Sequence, residues 1–183
     1  MPSLKQLKKH MEKQKIPMNI MTQIDFETDR NNPLSFIAAI DKMDELLTKE
    51  QRLSIMEQLG CCKTPKVTEP FKAFRQKYAD KTVEEKINLM DEIKSVHKPP
   101  CHLNSDGTLS VYWDGRCPCG AINKLPQPVN VSITYCGCCG GHVRNTFQHT
   151  LGVKLRLKEI VSSVISSGGK ARCEFLFEIV SPT

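Results

Sequence analysis

Apolar positions along the chain follow two different periods. Up to about residue 98 they recur at steps of three and four, the signature of helices with one buried face. Leu4, Leu7 and Met11 make the first stripe, before Pro17 interrupts it. Asn32-Pro33 is a helix entry, a side-chain acceptor followed by a ring already held at a helical φ. Phe36, Ile37, Ile40, Met43, Leu46 and Leu47 follow it on one face. Thr48 and Gln51 form a capping box, and Leu53, Ile55, Met56 and Leu59 run on to Gly60, read as a C-terminal cap. Pro70 is expected to start a short helix that buries Phe71, Phe74 and Tyr78. Thr82 and Glu85 make a second capping box, ahead of Val83, Ile87, Met90, Ile93 and Val96. These stripes read as core, not as cofactor-lining faces.

Pro99-Pro100 closes the helical half, and the period then drops to two. Residues 101–103 and 108–113 flank an Asp-Gly turn and predict a hairpin. Residues 129–135 alternate as a strand, and 138–151 read as a helix ending near Gly152. Residues 153–161 and 171–180 form a second hairpin across a Ser-Ser-Gly-Gly turn. The expected fold class is α+β: N-terminal helices followed by a mostly antiparallel sheet with one helix packed on it. The natural division is a helical region, 1–98, and a Cys-rich α+β unit, 99–183, forming one compact domain together.

Charge narrows the partners. The net charge is +6 over 183 residues, spread without a basic arm, and the aromatics do not interleave with Lys and Arg as in a stacking platform. Nucleic acid is therefore disfavoured as a partner. No stretch has the apolar core of an export signal, and none is long and apolar enough to span a bilayer. Nine cysteines without such a signal imply a cytoplasmic, reducing setting, where clustered thiols point to metal or catalysis before disulfides.

The cysteines concentrate in residues 135–149, YCGCCGGHVRNTFQH, with Cys136, Cys138, Cys139, His142 and His149. On a helix entered from a glycine-loosened turn, Cys138, His142 and His149 return to one side. Cys117 and Cys119 lie in the preceding Gly/Pro-rich loop. Two thiol pairs separated by one strand can converge into the four sulfurs of a tetrahedral zinc site. The one-residue spacings are tighter than a zinc-ribbon knuckle, so an iron–sulfur centre, redox-active thiols and plain core packing stay open. Cys61-Cys62 reads as packing. Cys139 and His142, three residues apart, could touch as nucleophile and base, but no third orienting group is evident.

Strand parity adds two residues. In 153–161 the apolar face holds Val153, Leu155, Leu157 and Val161, and Glu159 falls on that face. In the partner strand the inward set is Cys173, Phe175, Phe177 and Ile179. A carboxylate and a thiol thus project onto one hydrophobic layer, unless Glu159 is partly wet or pairs with Arg144 or Arg172.

From Tyr135 onward, Y-C-x-C, a Gly-containing helix start, L-G-V-K-L and S-G-G-K-A-R-C-E-F resemble the C-terminal half of the 4-vinyl reductase-type ligand-binding domains and their L-2-amino-thiazoline-4-carboxylate hydrolase-like relatives. The resemblance covers a quarter of the chain. It implies an α+β fold around a pocket for a small, apolar molecule. It also implies a zinc held by a helix-region Cys, a strand Glu and hairpin cysteines. By position Cys173 matches the closing Cys, and Cys136 or Cys138 the helix-region Cys. The Glu position falls near Ser162, three residues beyond Glu159, and the other hairpin Cys is absent. Cys117, Cys119 and Cys139, with His142, are the available replacements.

The expected function is a cytosolic small-molecule-binding protein with a Cys-rich, zinc-like metal site. Its candidate ligands are Cys117, Cys119, Cys136, Cys138, Cys139 and Cys173; zinc ranks ahead of an iron–sulfur centre. The alternative is a metal-dependent hydrolase of a cyclic C–N bond, in which the metal activates water and His142 or Glu159 carries the proton. A third option is a metal-stapled interaction module without a pocket. A homodimer is compatible with either of the first two.

Overall fold

The computed structural model describes residues 2–27, 32–60, 65–95, 98–115, 117, 119–126 and 129–182. Its α+β architecture puts the helices first. They are α1 (Leu4–Lys13), α2 (Met18–Met21), α3 (Pro33–Leu46), α4 (Lys49–Met56), α5 (Pro65–Lys77) and α6 (Val83–Leu89). Single 3-10 turns extend α4 over Glu57–Leu59 and α6 over Met90–Glu92. Strands β1 (Cys101–Leu103) and β2 (Leu109–Trp113), helix α7 (Gly137–Leu151), and strands β3 (Val153–Ser162) and β4 (Cys173–Pro182) complete the chain. The sheet order is β1-β2-β4-β3 with every neighbouring pair antiparallel, and α7 packs on β3.

Side-chain caps fix several helix starts. The Thr48/Gln51 and Thr82/Glu85 boxes form, and Asn32 accepts from the Leu34 N–H. A third box, Ser3 with Gln6, opens α1. Each cap supplies partners for N–H groups that the first helical turn leaves unpaired.

Two local expectations are corrected and a third is sharpened. Pro70 does not start a helix; it sits inside α5, which begins at Pro65. The acceptor it deprives lies four residues back, in the first turn. Gly60 does end the α4 helical run, as the C-cap of the Glu57–Leu59 turn, though its φ of −43° is not left-handed. It is small because a Cβ there would lie 2.6 Å from the Gly141 carbonyl carbon. Residues 129–135 do not form a strand: a 3-10 turn, Ile133–Cys136, is capped by Ser132 and runs into α7. Val131 and Tyr135 are buried but Ile133 is exposed, so the burial step is four, as on a helix, instead of two. In α6, Val83 and Ile87 are only half-buried, while Lys86 goes inside. Val96, Cys61 and Cys62 lie outside the described residues.

Two apolar clusters make the core, and each draws on both halves of the chain. One joins α1–α4 to Ile122, Val131, Tyr135 and Cys138. The other joins Leu53, Phe71, Phe74, Met90 and Ile93 to α7 and the inner sheet face, including Cys136 and Cys173. Cys139 and Ile165 pack against both. Helix α7 is therefore the seam of the molecule, and its glycines let it approach both sides. A Cβ at Gly137 would lie 2.5 Å from Met56 Cβ, and one at Gly141 only 2.1 Å from the Glu57 carbonyl oxygen. The expected glycine-loosened turn is instead a close-packed helix. No helix among the described residues is long and apolar enough to cross a membrane.

Candidate functional site

Four elements deliver thiols to the seam. The 117–119 loop supplies Cys117 and Cys119, and Asn123 ties it back by donating to the Cys117 carbonyl at 2.8 Å. The 3-10 turn supplies Cys136, and the first turn of α7 supplies Cys138 and Cys139. The first residue of β4 supplies Cys173, paired in register with Trp113 of β2. Cys117, Cys136, Cys138 and Cys173 are buried, Cys119 and Cys139 are half-buried, and all six are free thiols.

Cys139, Cys119 and Cys173 act electrostatically on Cys117; Cys139, Cys173 and Cys117 act on Cys136; and Cys138, Cys119 and Cys173 act on Cys139. Burial is the main cause that pushes the Cys117 thiol up to about 11, with Cys139, Cys119 and Cys173 adding to it. Burial likewise raises Cys136 and Cys173. Cys139 is held well above the usual thiol range, first by its hydrogen bond with Cys138 and then by burial. The cause is physical: a thiolate taken out of water beside other sulfurs is disfavoured unless a cation joins it.

Donors already address three of these sulfurs. The Cys119 N–H reaches the Cys117 sulfur, the Ser163 hydroxyl reaches Cys136, and the Val164 N–H lies 3.4 Å from Cys173 Sγ. Such hydrogen bonds around a sulfur are what a thiolate–metal centre requires of its surroundings. As the side chains stand, no three His, Cys, Asp or Glu among the described residues converge to hold an ion. Thiols are soft donors, and it is their chemistry alone that suits a soft metal. Cys119 instead stands 3.7 Å from the Tyr135 hydroxyl, and Cys138 is engaged with Cys139.

His149 and Glu159 lie apart from this group. Along a helix axis Cys138 and His149 are separated by about 16 Å, too far to share an ion. His142 is buried with its backbone against Gly60. His149 opens into a cavity of about 570 Å³ with Lys72, Arg75, Gln76, Lys86 and Gly152. Glu159 corrects the parity expectation. Leu157 pairs with Phe177 but Glu159 pairs with Leu176, so one extra residue, Lys158, bulges out of β3. Past a bulge the two faces exchange. Ile160 goes in, Val161 is left 48% exposed, and Glu159 turns out to Lys49 at 2.5 Å.

The buried carboxylate is one the sequence did not signal. Glu57, 5% exposed, meets Arg144 at 2.6 Å and accepts from the Leu157 N–H at 2.8 Å. Burial outweighs these partners and raises its pKa. This carboxylate bolts the 3-10 turn after α4 to both α7 and β3. Four cavities walled by described residues all have charged groups in their walls, and no cysteine lines any of these four.

No known protein-family model matches this chain, and neither does any curated protein.

Proposed function

We propose that the chain is a small-molecule-binding protein whose two core clusters are stapled by a cysteine-ligated zinc. The observation that carries this reading is the four-thiol set Cys117, Cys136, Cys139 and Cys173, brought from a loop, a turn, a helix and a strand to one seam. Four sulfurs from separated segments suit a closed, structural zinc site better than a catalytic one, which keeps a position open for water. Zinc bound there would neutralise thiolates that burial otherwise keeps protonated, and so tie folding to metal. The resemblance of the C-terminal quarter to 4-vinyl reductase-type domains supports the small-molecule role, as does the helix laid on an antiparallel sheet. Nothing in the geometry favours the hydrolase alternative, since Glu159 points away from the thiols.

Elemental analysis of protein purified without a metal-affinity tag tests the zinc. One zinc per chain is expected. Single Cys→Ser changes at 117, 136, 139 and 173 should each release it, whereas Cys101→Ser, a thiol packed on Met90, should retain it. Chelation should lower the melting temperature of the wild type. Metal-free protein that melts cooperatively at the same temperature with or without added zinc would refute the staple.

A further inference from the structure

The cavity where α5 meets the C-terminal end of α7 has a wall unlike the others. Of its lining residues Lys72, Arg75, Lys86 and His149 are basic, Gln76 offers an amide, and none is acidic. Three other cavities walled by described residues each contain at least one carboxylate. Lys86 is the second observation. It is only 7% exposed, its ammonium donates to the Leu151 carbonyl at 3.3 Å, and no ion pair among the described residues includes it. A buried ammonium without a counter-charge is costly unless an anion completes it.

One structural role is already visible. The last carbonyls of a helix carry partial negative charge, and Lys86 caps them. That role accounts for one cation. Lys72 and Arg75 stand one turn apart on α5 in the same wall, with Arg75 laid over Gly152, where a Cβ would come 2.8 Å from Nε. The glycine leaves room for the guanidinium at the cavity floor. Glu69 pairs with Lys72 at 2.9 Å but lies outside the wall. The His149 imidazole is held below its usual pKa, by burial first and then by Lys72 and Arg75, so it too feels a positive field.

We propose that this cavity binds the phosphate group of a small phosphorylated molecule, with Arg75, Lys72 and Lys86 as its counter-charges and Gln76 and His149 as neutral contacts. A phosphomonoester carries close to two negative charges and three acceptor oxygens. A planar guanidinium beside two ammonium groups suits it better than it suits a single carboxylate. About 570 Å³ is within the size range of small-molecule sites. A small molecule suits the site better than a polymer, because bases just outside the cavity are paired with acids: Lys77 with Glu92 and Lys81 with Glu85. The inference rests on the small-molecule half of the proposed function and is independent of the zinc.

Inorganic phosphate is the probe, titrated at constant ionic strength while the His149 ring signals are followed by NMR. Saturable shifts with a Kd of about 1 mM or tighter are expected. Lys72→Gln, at an exposed position, should weaken binding by about tenfold or more, and Arg75→Gln should abolish it. Lys77→Gln, outside the cavity, should change nothing. Three results would overturn the proposal: linear shifts equalled by chloride, acetate binding as tightly as phosphate, or a single-stranded oligonucleotide displacing phosphate and shifting signals well beyond the cavity. Any of these three with zinc retained would sink this inference alone and leave the thiol staple standing.

Discussion

Two alanine substitutions one residue apart separate backbone contact from side-chain contact at the seam. A Cβ at Gly141 would lie 2.1 Å from the Glu57 carbonyl oxygen, 2.8 Å from its carbonyl carbon and 3.1 Å from its Cα. All three are backbone atoms, so the Glu57–Leu59 turn must retreat by roughly 1 Å. That retreat pulls Glu57 away from Arg144 and from the Leu157 N–H, now 2.6 and 2.8 Å distant. Each such charge-assisted bond is worth about 1.5–3 kcal/mol when its partner stays buried. Alanine regains about 1 kcal/mol of helix propensity. The net expectation for Gly141→Ala is a loss of about 3–5 kcal/mol, a large share of the ~5–15 kcal/mol typical of a domain. At Gly140 the nearest atoms are the Leu157 and Phe175 side-chain tips, the closest at 2.8 Å. These can shift, and Gly140→Ala should cost only about 1 kcal/mol after the same propensity gain. Urea unfolding of both variants, with the slope checked for constancy, gives the comparison. Equal stabilities, or Gly140→Ala as the worse variant, would refute the close packing assigned to α7.

Glu159→Gln should change stability by no more than about 1 kcal/mol, because its partner Lys49 is exposed like itself, and zinc content should not change. Zinc loss in that variant, measured by elemental analysis, would return Glu159 to the metal site. His149 makes stability pH-dependent. Its folded pKa lies below the usual 6.5, mainly through burial with Lys72 and Arg75 adding and Glu69 opposing. Below pH 6.5 the unfolded chain therefore binds more protons. The contribution of His149 is complete above 6.5 and is lost as the pH falls from there through the folded value. His149→Gln should flatten that part of a melting-temperature profile, and an unchanged profile would contradict the assignment.

Periodicity made most of the fold legible, because caps and stripes are local. Thr48 with Gln51, Thr82 with Glu85, and Asn32 ahead of Pro33 need only their own helices, and all three act as their spacing implies. What escaped depends on contacts made at a distance. Gly60 and Gly141 are small because each would collide with the other's segment, 80 residues away in sequence, and neither pattern shows it. Glu57 has no signature beyond a polar residue near a helix end, yet its partners Arg144 and Leu157 come from two later elements. The cavity bases of α5 and α6 read as solvated charges until α7 is laid beside them.

The strand error is the most instructive for the site. Alternation through residues 153–161 is regular in the sequence, and a regular strand would set Glu159 opposite Phe175, on the face that carries Cys173. One bulged residue, Lys158, reverses the faces, and the composition favours that outcome. Without it, Glu159 would be driven into a layer of Phe175, Phe177 and Leu157, while Ile160 would face water. Exchanging the two places an apolar side chain in the core and gives the carboxylate an exposed Lys49. Desolvation of a lone carboxylate costs several kcal/mol, more than the local loss of ladder hydrogen bonds at a bulge. The same balance explains why the thiols stay in. A protonated Cys is a small apolar group with no such penalty, so six can gather at one seam without a counter-charge, and Glu159 cannot.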